Sequence, residues 1–316
     1  MYPTAKWVNS RERSIYAPPR FCYTPLKMNS RVPRFPLLFV VVALVLTGCK
    51  TSTSPTPGDP SPASPVVATP PAPPAVTGRL DIAACPSPNF SERTRPVSMI
   101  VLHYTASETA SALAALRDAH ADDPVSAHYL VDRNGRIYRL VDESKRAWHA
   151  GPGVWEGCDD VNSASVGIEI VNLGRDARGR REPYPDAQIE AVIRLCRDIQ
   201  SRHAIRWVIG HSDMGLGRKE DPGEHFPWKR LAQRGVGIWT DAFAKPTLTR
   251  REMLAKIGYD ATQPDLATAA FQRHFYPEAL TSGGKRTNER MAAVLDAVSA
   301  RHAKSRQDSD KNHATP

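Results

Sequence analysis

The sequence predicts an α/β domain with a mixed central sheet flanked by helices, followed by a small three-helix module. Three observations carry this. Over residues 80–240, short apolar runs alternate with amphipathic segments of helical period. Two of the runs flank Asn134-Gly135, a strong hairpin signal. Over residues 247–303 the apolar spacing is helical only.

The elements follow in order. "VSMIVLHYT" (97–105) has the unbroken apolar character of a buried strand. "TASALAALRDAH" (109–120) reads as a helix, and "HYLVDRNGRIYRLV" (128–141) as the two strands of the hairpin. "SVGIEIVN" (165–172) is a further strand, in which Ile168 and Ile170 point one way and Glu169 the other. "PDAQIEAVIRLCRDIQSRH" (185–203) is a long amphipathic helix whose apolar face carries Cys196. "RWVIGH" (206–211) is a strand that runs into "GHSDMGLGRKEDPG" (210–223), where the glycines predict a loop. Downstream, Thr249 and Glu252 have the spacing of a capping box and Gly258 the position of a helix stop. Residues 264–275 and 288–302 are two more helices, and the polar tail 304–316 is expected to be disordered.

The amino-terminal quarter has a different character. The net charge of +9 invites a nucleic-acid partner, but residues 1–48 carry seven basic residues against Glu12, and the remainder is only slightly basic. No nucleic-acid partner is expected. From Met28, Arg31 and Arg34 precede an apolar run, Phe35 to Leu46, that ends in Leu46-Thr47-Gly48-Cys49. This is the layout of a signal peptide, and the run is short for a membrane span. Residues 1–27 fit no such layout, so Met28 is the expected start within the 1–48 leader. Small residues before a cysteine resemble the lipobox of bacterial lipoproteins, which implies lipid on Cys49 and a membrane anchor. Residues 49–79 hold proline at high density and no aromatic residue, and read as an extended tether. The expected location is a periplasm-facing lipoprotein, most simply in the outer membrane of a Gram-negative bacterium, acting as a monomer. Pairing of Cys85 with Cys158 stays open, since spacing says nothing about geometry.

Two predicted strands end in histidine, His103 and His211, and an acid-rich loop follows the second. Loops at strand ends are where α/β sheets gather sites. Two neutral imidazoles and a carboxylate could make a catalytic zinc site, yet the spacing alone does not separate that from buried core histidines. Asp213, Glu220 and Asp221 are all available as the acid.

A resemblance narrows the choice. "VLHYTAS", "HYLVDRNGRIYRLV", "AWHAG", "SVGIEIVN" and "GHSDMGLGRKEDPGEHFPW", in this order over about 100–230, resemble the type 2 N-acetylmuramoyl-L-alanine amidases. That zinc-dependent family includes phage amidases and peptidoglycan recognition proteins. The resemblance implies that His103, His211 and Asp221 hold Zn2+, that Glu169 is the general base toward the attacking water, and that Lys219 stabilises the oxyanion. Asp213 and Glu220 become groups that shape the loop, and His128 and His149 stay outside the catalytic set with their roles open. The implied partner is peptidoglycan or its muropeptides, including anhydro fragments. The implied reaction is hydrolysis of the amide between N-acetylmuramic acid and L-alanine. More weakly, 247–303 resembles a peptidoglycan-binding module. Two alternatives stand beside this: a lipoprotein that binds the wall without cleaving it, and a zinc amidase acting on another amide.

Overall fold

A computed structural model describes residues 80–175 and 178–313. The leader, Cys49 and the tether lie outside the described residues.

Six strands form one sheet: β1 (Ile82–Ala84), β3 (Met99–Tyr104), β4 (Tyr129–Val131), β5 (Ile137–Arg139), β7 (Ser165–Ile170) and β8 (Trp207–Gly210), in the order β1-β5-β4-β7-β3-β8. Within this sheet only β4 and β5, the hairpin strands, pair antiparallel. Asp132 and Arg136 close the turn between them by a 2.9 Å bond, and Gly135 sits inside it with φ +85°. A Cβ on Gly135 would come within 2.7 Å of the Ala187 carbonyl oxygen, so the position demands glycine twice over. Two short strands, β2 (Phe90–Glu92) and β6 (Lys145–Ala147), pair apart from the main sheet.

Alternation in β3 divides the interior in two. Ile100 and Leu102 join Val166, Ile168 and Ile170 under α3 (Asp186–Arg202), whose buried stripe includes Ile193 and Cys196. Met99 and Val101 face the other way, with Trp207 and Ile209, into a second core. That core is completed by α6 (Arg250–Ile257), α7 (Pro264–Phe275) and α9 (Thr287–His313), through Leu254, Phe271 and Met291. The expected C-terminal helices are present, and they cover the second face of the sheet. Trp155, fully buried, makes edge contacts with Trp207 of the sheet and Tyr259 beyond α6. The capping box of Thr249 and Glu252 is formed, and Gly258 ends α6 where a Cβ would lie 2.8 Å from the Trp155 ring.

Three boundaries differ from expectation. Helix α1 (Thr109–Ala115) is shorter, because side chains from elsewhere take the next carbonyls: Ser87 Oγ donates to Leu116 and Asn89 Nδ2 to Asp118. The tail expected to be disordered from residue 304 continues α9 through His313, in a run without Gly or Pro. The start of the predicted loop at 210 winds into α4 (His211–Met214), capped by Asp213. Short helices α2 (Val161–Ala164), α5 (Trp228–Gln233) and α8 (Ala279–Ser282) complete the chain order. Cys85, Cys158 and Cys196 are free thiols. Among the described residues, no helix is long and apolar enough to cross a membrane.

Candidate metal centre

Strands β7, β3 and β8 are mutually parallel neighbours, so their C-terminal ends share one edge of the sheet. His103 pairs with Glu169 across β3 and β7, and Leu102 pairs with Gly210, which places His211 one residue past the end of β8. Ile168 and Ile170 point into the α3 core, and Glu169 takes the opposite face with His103.

The loop returns to this edge through its own backbone. Ser212 N–H donates to the Asp221 carbonyl at 2.9 Å, and Lys219 N–H donates to Gly215 at 3.0 Å. A Cβ on Gly210 would meet Pro222 at 2.7 Å, so glycine lets the returning strand of the loop lie against β8. Residues ten apart thereby meet.

His103, His211 and Asp221, all buried, bring their donor atoms together. His103 Nδ1 lies 2.9 Å from His211 Nδ1 and 3.2 Å from Asp221 Oδ2, and His211 Nδ1 lies 3.1 Å from the same oxygen. Neighbouring ligands of a tetrahedral zinc with bonds of ~2.0–2.1 Å stand only slightly farther apart. His211 Nε2 is 2.8 Å from the Ala150 carbonyl oxygen. That oxygen can only accept, so Nε2 carries the proton and Nδ1 offers a lone pair to the centre. Nitrogen and carboxylate donors on one side of a triangle fit a zinc ion.

The electrostatics suit a cation. Burial, followed by the neighbouring His211, pushes the His103 imidazole down to about 4, so it stays neutral. Burial would raise Asp221, but its place between the two histidines outweighs this and holds the carboxyl well below the usual range. Glu169 has no such donors. Burial, reinforced by Asp221 and opposed by Lys219, pushes it up to about 8. Among the described residues its buried Oε2 has no hydrogen-bond partner. Lys219 lines the same cleft of about 470 Å³ with His103, Glu169, His211 and Asp221.

Other residues take places that their sequence motifs did not reveal. His149, from "AWHAG", lines the cleft and touches His103, with its Nδ1 3.0 Å from His103 Nε2. His128 is buried behind, where its Nδ1 accepts the Gly167 N–H. Arg218 donates to the carbonyls of Ala150 and Pro152. Asp213 is fully buried and accepts from Gly210 N–H, Tyr259 O–H and His274, each at 2.7 Å. It shapes the turn, as expected, but as the hub of a buried cluster. Glu220 is half exposed and pairs with Arg181 at 3.2 Å. Only the motif "AWHAG" pointed toward His149; nothing local marks Tyr259 or His274 as partners of Asp213.

Residues 93–224 match the family model described as N-acetylmuramoyl-L-alanine amidase. The chain is 37% identical over 231 residues to the N-acetylmuramoyl-L-alanine amidase AmiD of Escherichia coli, covering 63% of this chain and 82% of AmiD. It is 31% identical over 165 residues to the 1,6-anhydro-N-acetylmuramyl-L-alanine amidase AmpD of Haemophilus influenzae, covering 46% of this chain and 86% of AmpD. The solved structure of E. coli AmiD with anhydro-N-acetylmuramic acid-L-Ala-D-gamma-Glu-L-Lys aligns with TM-score 0.55 and 36% identity, over 65% of this chain and 89% of that one. Pseudomonas aeruginosa AmpDh3 aligns with TM-score 0.54 and 33% identity, over 66% of this chain and 93% of that one. On its sequence and its fold alike, the chain belongs to the N-acetylmuramoyl-L-alanine amidase family.

Proposed function

We propose that this member of the family hydrolyses the amide between the lactyl carboxyl of N-acetylmuramic acid and L-alanine, in peptidoglycan or its anhydro-muropeptide fragments, with zinc held by His103, His211 and Asp221. The observation that carries the reading is the convergence of those three donors, ~3 Å apart on separate segments, beside a buried carboxylate with an unpartnered oxygen. A zinc ion bound there would supply a Lewis acid that polarises the scissile carbonyl and acidifies water.

The chain's own groups do the rest. Glu169 shares the cleft with the three donors and has an oxygen free to accept a proton from the attacking water. Its raised proton affinity suits it to hold that proton and hand it to the departing amine of L-alanine. Lys219, in the same cleft, sets a positive charge where negative charge develops on the carbonyl oxygen. Wall binding without cleavage would need neither group, so their joint presence favours hydrolysis. The lipobox at Cys49 and the tether behind it support a lipoprotein facing the periplasm, with the outer membrane as its anchor and the wall within reach.

The test is to incubate the full chain with intact sacculi and with anhydro-muropeptides, with and without chelator, and to weigh the products by mass spectrometry. Release of free stem peptides is expected, stopped by the chelator and by Glu169→Ala. Cleavage inside the stem peptide, or release that ignores the chelator, would overturn the reading.

A further inference from the structure

His103 can present a lone pair at Nδ1 only in the tautomer that carries its proton on Nε2. On the Nδ1 side stand His211 Nδ1 at 2.9 Å and Asp221 Oδ2 at 3.2 Å, which leave Nδ1 bare only with a cation between them; the far side of the ring biases the choice by its own contacts. His103 Nε2 lies 3.0 Å from His149 Nδ1, His149 Nε2 lies 3.3 Å from Ser165 Oγ, and Ser165 Oγ lies 2.5 Å from the Val161 carbonyl oxygen. The last atom can only accept, so the Ser165 hydroxyl donates to it. The hydroxyl then has only lone pairs left for His149, whose proton must sit on Nε2. A neutral imidazole protonated at Nε2 is bare at Nδ1, and it accepts the proton of His103 Nε2–H.

We propose that the segment His149-Ala150 sets the tautomers of both candidate histidine ligands, with His149 and Ser165 acting as positioning residues for His103 and the Ala150 carbonyl for His211. The inference rests on the zinc reading above for His103 and His211, whose bare Nδ1 atoms face Asp221, whereas the tautomer of His149 follows from Ser165 and Val161 alone. Two features of the fold are explained by it. Asn162 Oδ1 accepts from both His149 N–H and Ala150 N–H, at 2.9 and 2.8 Å, which fixes the segment that carries the two groups. Gly167 has no side chain where a Cβ would stand 2.4 Å from His149 Cγ, so glycine clears the bed of the imidazole. One short segment therefore reaches His103 by a side chain and His211 by a carbonyl, 2.8 Å from its Nε2. Groups of this kind behind a metal ligand are commonly worth about 10- to 100-fold in metal affinity.

The closing experiment has two arms on the full chain. Long-range 15N–1H correlation of the histidine rings is expected to show Nε2–H on His149 in the metal-free protein, and on His103 as well once zinc is added; an Nδ1–H signal from His149 would overturn the inference without any variant being made. Zinc affinity, measured by competition with a chromophoric chelator, is expected to fall about 10- to 100-fold in Ser165→Ala and His149→Leu, with His149→Gln falling less because its amide oxygen can accept from His103. Unchanged affinity in both Ser165→Ala and His149→Leu would also overturn it. A wild-type chain that shows Nε2–H on His149 yet binds no zinc would uphold the Ser165–His149 link and sink the metal reading instead.

Discussion

The two histidines at the ends of β3 and β8 share the His149-Ala150 segment, but the groups that back each of them further out are of opposite kind. Behind His103 stands a line of neutral groups, His149, Ser165 and a backbone carbonyl, all drawn from the sheet half of the chain. Behind His211, two residues on, stands the carboxyl group of Asp213, tied to Tyr259 and His274 of the C-terminal helical region. The first support orients a ring and chooses where its proton sits. The second pins a turn of backbone, since Asp213 also caps Gly210. Imidazole-to-hydroxyl contacts carry direction but little energy, whereas a buried carboxyl group with three donors is costly to disturb. Damage to the first should therefore appear in metal affinity, and damage to the second in the stability of the fold.

The largest effect expected of this contrast is at Asp213. Asp213→Ala strands Gly210 N–H, Tyr259 O–H and His274 in the core, and about 3–5 kcal/mol of unfolding free energy should be lost. Urea denaturation of the metal-free protein measures it. A loss below ~1 kcal/mol would mean that the C-terminal helices do not depend on this carboxyl group.

Next comes the metal itself. Zinc at about 100 times its dissociation constant should add ~2.7 kcal/mol to the wild type, read as a rise in Tm reversed by chelator. His103→Ala, which removes one of the three donors, should abolish the rise while leaving α6, α7 and α9 on their face of the sheet. An undiminished rise in His103→Ala would place the zinc elsewhere.

The two supports were also unequally legible in the sequence. His103, Glu169 and His211 could be placed at strand ends because strand period and motif order agree there. Asp221 needed the resemblance, since Asp213 lies closer to His211 along the chain. The supports themselves were hidden by separation: His149 is 46 residues from His103, and Tyr259 and His274 are 46 and 61 residues from Asp213. Such contacts depend on how elements stack, which a periodicity of 2 or 3.6 does not encode. The same limit applies to the C-terminal helices: their apolar faces were visible, but not the second face of the sheet that they cover.

A smaller effect separates hydrogen bonding from packing in the second support. Tyr259→Phe keeps the edge contacts with Trp155 and Phe271 and removes only the hydroxyl that donates to Asp213. About 1.5 kcal/mol should be lost, at the lower end for a bond to a carboxylate. Zinc affinity should change by less than it does in Ser165→Ala. The reverse ranking would mean that the helices tune the metal more than the sheet does.

The smallest expected effect is the most discriminating. Ser165→Ala and Tyr259→Phe act on supports with no hydrogen-bond partner in common among the described residues. In the metal-free protein the double variant should therefore lose the sum of the single losses, within ~0.5 kcal/mol. With zinc bound the two should couple, because His103 and His211 then answer to one ion and a slack ring on either side weakens the hold of the other. The cycle is run by urea denaturation with and without zinc. A coupling energy above ~1 kcal/mol without metal would join the two supports into a single network and end the distinction between them. Additivity in both states would instead show that each histidine is held alone, and that the ion draws nothing from their agreement.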